Sequence, residues 1–210
     1  MNIVLHNICP SFINPDVSEI WNRDVTLDAK TRVNVSAPSG TGKTSFVSIL
    51  YGLLADYTGV LKFETQVAAS LNRQQWAALR RQRLSLVFQD LRLFPQLSCL
   101  DNVLLKAHQT SKTDSAAIHT AFNRVGISHL LAAPAHICSQ GEKQRVAFVR
   151  ALVQPFDWIL LDEPFSHVDQ ANVAAMLNLL QETCTQNKAG ILLTSLEPET
   201  RLPFDRTYAL

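Results

Sequence analysis

Two stretches carry residue types that can do phosphate chemistry. The first is Ala37-Pro38-Ser39-Gly40-Thr41-Gly42-Lys43-Thr44-Ser45, a small-residue loop ending in Gly-Lys-Thr. Val33, Val35 and Ala37 recur at period two before it, which predicts a strand. Phe46, Ile49, Leu50, Leu53 and Leu54 fall on one face of a helix after it, predicted to run from Thr44 to about Leu54. A strand, a glycine loop and a helix N-terminus make an anion cradle, because backbone N–H groups converge and the helix dipole adds its positive end. In the pattern G-x-x-x-x-G-K-[ST], Lys43 reaches the β- and γ-phosphates and the Thr44 hydroxyl is placed for Mg²⁺. Ser39, Gly40, Thr41, Gly42 and Ser45 complete the phosphate-binding set. One letter departs from the pattern, since Ala37 holds the first glycine position; the loop survives if that residue keeps φ below zero. Asn34 and Ser36 are also unusual in a strand of this kind and require hydrogen-bond partners.

The second stretch is Trp158-Ile159-Leu160-Leu161-Asp162-Glu163-Pro164. Four apolar residues read as a parallel strand covered on both faces. The two carboxylates then emerge at its carboxyl end, where ligands bind in open α/β sheets. Asp162 is placed to hold Mg²⁺, directly or through water. Glu163 is placed to polarise the water that attacks a γ-phosphate.

The elements that must position these residues follow from the rest of the chain. Its 210 residues suit one domain, and 47% hydrophobic against 18% charged residues allows a large core. A net charge of +1 does not suggest a nucleic-acid partner. Cys9, Cys99, Cys138 and Cys184 show no metal or disulfide spacing and read as free thiols in a reducing compartment. Met1 to His6 lacks the features of a signal peptide, and no stretch approaches the roughly 20 apolar residues of a membrane span. Work at a membrane therefore requires a partner there.

Residues 1 to 36 read as short strands and turns, with a turn at Asn14-Pro15-Asp16. Val60, Leu61 and Phe63 form a short apolar element. Gln74 to Gln82 reads as a helix whose Arg80 and Arg81, with Arg83, form a solvated basic face. Leu84 to Phe88 is a core strand ending at Gln89. Residues 90 to 150 are helical, broken at Pro95 and Pro134 and by polar turns between Thr110 and Asp114. A helix over Ala171 to Glu182 and a buried strand over Gly190 to Thr194 close the chain. This alternation predicts an α/β fold, a parallel sheet with a helical insertion between its halves.

Together these motifs resemble the ATP-binding cassette (ABC) ATPases over nearly the whole chain. Val87 to Pro95 is similar to the family's Q-loop, with Gln89 as the sensor of Mg²⁺ and water. Cys138-Ser139-Gln140-Gly141-Glu142 sits where the family has its L-S-G-G-Q signature. Ser166-His167-Val168-Asp169 resembles the D-loop, and Phe12 matches the aromatic that stacks on adenine. Ser139 with Glu142 is also a capping box, and the two readings are compatible because a helix start binds anions.

The resemblance implies the P-loop NTPase (RecA-like) fold: a parallel core with an N-terminal antiparallel β subdomain, about 1–89 and 150–210, and a helical subdomain, about 90–149. It implies one nucleotide-binding domain using ATP and Mg²⁺. Gln89, Glu163 and Ser195 take catalytic positions; Thr44, Gln89 and Asp162 hold the metal. Ser139 and Gly141 act on the nucleotide of another subunit, because two cassettes close head to tail, as a homodimer or a paired cassette. The implied partner is an integral membrane permease, which places the chain peripherally on the cytoplasmic side of the inner membrane.

Cys138 replaces the signature's Leu and Gln140 its first Gly. At the end of the Gly190 strand, Ser195 replaces a histidine that contacts the γ-phosphate in the family. None of the six histidines falls there, and His167 reads as an exposed turn residue. The segment from Ala68 to Gln89, with Leu97 to Val103, is similar to cassettes of the lipoprotein-release, macrolide-efflux and cell-division group. Leu93-Phe94-Pro95 is equally at home in solute importers, and a regulatory module with little turnover is a further alternative. With Lys43, Thr44, Gln89, Asp162 and Glu163 present and the histidine absent, intact ATP binding and slowed hydrolysis are expected. Steady-state ATPase of Ser195→His should exceed that of the native chain; an unchanged rate would show that Ser195 is not limiting.

Overall fold

The computed structural model describes residues 1–13, 18–110 and 114–210. The Asn14-Pro15-Asp16 turn lies outside the described residues, as does most of the polar turn between Thr110 and Asp114. In chain order the elements are β1 (Ile3–Pro10), β2 (Asp24–Leu27), β3 (Arg32–Ser36), α1 (Lys43–Leu50), β4 (Tyr57–Phe63), β5 (Gln66–Val67), α2 (Arg73–Gln82), β6 (Leu84–Val87), α3 (Cys99–Ala107), α4 (Ser115–Arg124), α5 (Gln140–Leu152), β7 (Trp158–Asp162), α6 (Gln170–Asn187), β8 (Gly190–Ser195) and β9 (Arg206–Ala209). They build an α/β fold with two sheets. One is five-stranded and parallel, ordered β6-β7-β8-β3-β9; the other is four-stranded and antiparallel, ordered β2-β1-β4-β5. Helices α3, α4 and α5 lie between β6 and β7 in the chain.

The parallel strands are covered on both faces, so their sequences are apolar throughout rather than alternating. Every residue of β6 and β7 is buried. One core forms between the two sheets around Trp21, Phe46 and Trp158; a second joins the parallel sheet to α3–α6 around Phe122, Phe148 and Met176. The buried polar residues of this sheet, Asn34, Ser85, Asp162 and Thr194, each find a partner, as burial without one is costly, whereas Ser36 is only half-buried and its hydroxyl makes no hydrogen bond among the described residues. Ser85 Oγ donates to the Ala151 carbonyl at 2.6 Å. Asn34 Nδ2 donates to the Leu193 carbonyl at 3.2 Å and to Ser195 Oγ at 2.9 Å. Its Oδ1 accepts from the Glu199 N–H at 3.2 Å.

Helix α1 stops four residues before the predicted end at Leu54. Gly52 takes φ +69, its N–H donates to the Ile49 carbonyl at 3.0 Å, and the Leu53 N–H donates to the Ser48 carbonyl at 2.8 Å. That is a Schellman ending, and it outweighs the apolar period that continues through Leu53 and Leu54. The basic cluster is not simply a solvated face either. Arg80 donates to the Tyr51 and Gly52 carbonyls at 3.0 and 2.9 Å and lies over the Tyr51 and Trp76 rings. It thereby caps α1 from the neighbouring helix. Arg83 pairs with Asp157 at 2.6 Å, which leaves Arg81 as the exposed member.

The four adjacent strands β6, β7, β8 and β3 all point the same way. Their carboxyl ends therefore deliver Gln89, Asp162 with Glu163, Ser195 and the 37–45 loop to one edge of the sheet.

Candidate active site

The loop from Ala37 to Gly42 wraps a cleft of about 530 Å³ at the start of α1. Gly40 and Gly42 take φ +83 and +105, conformations that L side chains rarely adopt. Ala37 is not among the residues with positive φ, so its methyl group is accommodated, and it is buried. The cleft is lined by all the predicted loop residues from Ser39 to Ser45, together with Phe12, Gln89 and Glu163. Phe12 stands at its rim, 63% exposed. Lys43 is 4% exposed. Its ammonium donates to the carbonyls of Ala37 and Pro38 at 2.7 and 3.0 Å and pairs with Glu163 Oε1 at 3.1 Å.

Beside the cradle, three oxygen-bearing side chains meet. Thr44 Oγ1 donates to Gln89 Oε1 at 3.0 Å, and both residues share a cleft with Asp162. Asp162 is buried, and Thr194 Oγ1 donates to its Oδ1 at 2.7 Å. Burial pushes the Asp162 carboxyl above its ordinary range, opposed first by hydrogen bonding from Thr194. A hydroxyl, an amide oxygen and a carboxylate are the donor types that suit Mg²⁺, so the set fits that ion.

Glu163 occupies φ +48, a region few non-glycine residues visit. Four hydrogen bonds over-determine it. Its N–H lies 3.2 Å from the Thr194 carbonyl and 3.3 Å from Thr194 Oγ1. Its carbonyl accepts from Gln144 Nε2 at 3.1 Å and from Ser166 Oγ at 3.3 Å. Strain of this kind costs on the order of 1–3 kcal/mol and persists where surrounding structure holds it.

Ser139 and Gly141 do not line this cleft. Ser139 caps α5 through a capping box: its N–H donates to Glu142 Oε2 at 2.8 Å, and Ser139 Oγ accepts from the Glu142 N–H at 3.3 Å. Hydrogen bonding from Ser139 holds the Glu142 carboxyl below its ordinary range. A Cβ on Gly141 would stand 2.5 Å from the His167 carbonyl, so only glycine allows α5 to approach the 166–169 turn this closely. His167 is exposed, as its reading as a turn residue expects. Gln140 is exposed at the helix start. Cys138 is buried with its Sγ 3.5 Å from that of Cys99, so its departure from leucine is a matter of core packing. Burial, then Cys138 itself, pushes the Cys99 thiol up to about 12.

Two positioning groups, Gln144 and Thr194, escape the sequence reading, and for Asn34 that reading predicts a partner without identifying it. Gln144, 3% exposed, binds the Glu163 carbonyl with its Nε2 and accepts from the His167 N–H at 3.2 Å with its Oε1, tying α5 to the D-loop stretch. Thr194 serves Asp162 and Glu163 at once. Asn34 holds Ser195. Their partners are 19 to 165 residues away in sequence, beyond any local pattern. Ser195 lines a second cleft, of about 440 Å³, that also contains Glu163 and Ser166.

Fold and site together define a P-loop nucleotide-binding domain. The family described as ABC transporter matches residues 21–166. The chain is 30% identical over 190 residues to the lipoprotein-releasing system ATP-binding protein LolD of Hydrogenovibrio crunogenus, covering 89% of this chain and 83% of that one. It is 31% identical over 174 residues to the thiamine import ATP-binding protein ThiQ of Escherichia coli, covering 81% and 72%. A solved dimeric bacterial ABC transporter cassette superposes with a TM-score of 0.80 at 22% identity, covering 93% of this chain and 88% of that one. The chain belongs to the ABC transporter family, as an ATP-binding ATPase subunit.

Lys43 is the cation of the cradle, and charge-assisted hydrogen bonds contribute about 1.5–3 kcal/mol each. Lys43→Met should therefore weaken ATP binding by about 10- to 100-fold. Equilibrium binding of a fluorescent ATP analogue checks this, and an unchanged affinity would place the nucleotide elsewhere.

Proposed function

We propose that this chain hydrolyses MgATP at a site shared between two cassettes and so drives a membrane permease that releases lipoproteins. The observation that carries the reading is the division of the site. The cradle, the Thr44–Gln89–Asp162 oxygens and Glu163 share one edge of the sheet, while Ser139 and Gly141 lie outside the cleft. A second copy facing the first supplies the missing wall.

In this reading Ser39 to Ser45 hold the phosphates through the loop amides and the Lys43 ammonium, which exchanges contacts with carbonyl oxygens and Glu163 for phosphate oxygens. Phe12 stacks on adenine. Thr44, Gln89 and Asp162 hold Mg²⁺, which when bound offsets phosphate charge. Glu163, freed from Lys43, accepts the proton of the attacking water. Ser195 donates its hydroxyl to the γ-phosphate. That donor is neutral where the family's histidine can carry charge, which slows the step. Ser139 Oγ and the Gly141 N–H of the facing copy complete the cage.

Residues 90–149 act in this reading as a helical subdomain that receives the permease. Phe94 and Leu105, 58% and 44% exposed, flank a groove of about 170 Å³ that also presents Arg92, Lys106 and Arg150. Buried Asn102 shapes its edge, accepting from the Phe94 N–H at 2.7 Å and donating to the Phe94 and Ser98 carbonyls at 3.1 and 3.0 Å. Among the described residues no helix is long and apolar enough to cross a membrane. The chain then sits peripherally on the cytoplasmic side of the inner membrane, held by that partner. The LolD relative and the Ala68–Gln89 pattern support lipoprotein release. The ThiQ relative and Leu93-Phe94-Pro95 favour solute import as the second reading.

Co-expression with a lipoprotein-release permease should carry the chain into the membrane fraction, and Leu105→Asp should release it without altering ATP affinity. Retention by an importer permease alone would select the second reading. Retention by neither would contradict both.

A further inference from the structure

We propose that Asn34 is a positioning residue of the hydrolytic site, which orients the Ser195 hydroxyl so that its proton faces the cleft. The proposal rests on the reading of Ser195 as a γ-phosphate donor. Asn34 is fully buried in β3, three residues before the cradle begins. The Leu193 carbonyl can only accept and the Glu199 N–H can only donate, so the Asn34 amide has one orientation that satisfies both. Nδ2 then points at Leu193 and Ser195, and Oδ1 at Glu199.

This fixes the polarity of the next bond. Nδ2 carries hydrogen, so Ser195 Oγ must accept across the 2.9 Å contact. The serine keeps its own hydrogen to donate, and that hydrogen has no acceptor among the described residues. Ser195 lines the second cleft, of about 440 Å³, and Glu163 lines both that cleft and the nucleotide cleft beside it. Its carbonyl meanwhile accepts from the Ala37 N–H at 3.1 Å, which ties the end of β8 to the first residue of the cradle. With the backbone pinned and Oγ already occupied as acceptor on the sheet side, the remaining O–H is left to donate into the cleft.

An apolar residue at position 34 would let the hydroxyl turn its proton toward a sheet carbonyl, leaving the Glu199 N–H unpartnered. Asn34→Asp is the sharper change. It keeps the volume and the acceptor for Glu199, but presents an oxygen where Nδ2 was. Ser195 must then donate inward, and the cleft loses its donor.

The test is a double-mutant cycle on steady-state ATPase of the full chain, using Asn34→Asp, Ser195→Ala and the double variant, with near-ultraviolet circular dichroism confirming the fold. Asn34→Asp should lower kcat about tenfold with KM for ATP within about twofold, since the interaction is made late in the reaction. In the Ser195→Ala background the same change should alter kcat by less than about twofold, because the group it acts through is gone. Equal losses in both backgrounds would overturn the proposal, showing that Asn34 acts on the sheet as a whole. A loss in Ser195→Ala with none in Asn34→Asp would overturn the role of Asn34 alone. An undiminished rate in Ser195→Ala would overturn the reading of Ser195 itself, and this proposal with it. If Asn34→Asp does not fold, Asn34→Ala enters the same cycle with the same expected non-additivity and the same contradicting outcomes.

Discussion

A buried ammonium governs this structure. Lys43 opens helix α1, where the helix dipole is already positive, and it is almost sealed from water. Removing such a charge from solvent costs several kcal/mol unless oxygen atoms surround it. Two loop carbonyls and the Glu163 carboxylate supply them. Those contacts require the loop to curl tightly, which Gly40 and Gly42 permit. They also require a carboxylate on a strand two places away in the sheet. The cradle and the acidic strand end are thus one electrostatic unit.

That unit depends on where four parallel strands stop. Polar side chains buried at or near those ends stitch them sideways: Asn34 from β3 to β8, Thr194 from β8 to β7. Gln144 extends the stitching from α5 to Glu163 and the D-loop stretch. A change at the phosphate end of the cleft therefore has a hydrogen-bonded route to the helix whose start carries Ser139. Glu163 sits at the centre of this network in a strained backbone conformation that four hydrogen bonds hold.

Much of this was legible in the sequence, because the chemistry-bearing motifs are local. The 37–45 loop, the run ending in Asp162-Glu163 and the Ser139–Glu142 capping box each announce themselves by spacing within a few residues. The family match and the α/β fold follow from their order. Other features depend on contacts between distant segments. That Asn34 would find Ser195, that Cys138 would pack on Cys99, and that Arg80 would cap α1 are facts of tertiary packing with no local period. The early end of α1 is different, since Gly52 marked it and the apolar spacing of Leu53 and Leu54 concealed the mark. The departures Ala37, Cys138 and Ser195 looked alike as letters. In the structure Ala37 is an accommodated methyl group, Cys138 is core, and Ser195 lines the second cleft beside Glu163.

The signature serine lies outside the nucleotide cleft, and in the proposed function a second copy brings it to ATP. Sedimentation velocity of Glu163→Gln, in which the proposed role of Glu163 leaves bound ATP unconsumed, tests this most directly. With MgATP the chain should sediment as a dimer, and without nucleotide or with ADP as a monomer. A monomer at saturating MgATP, with nucleotide shown to be bound, would contradict the shared site.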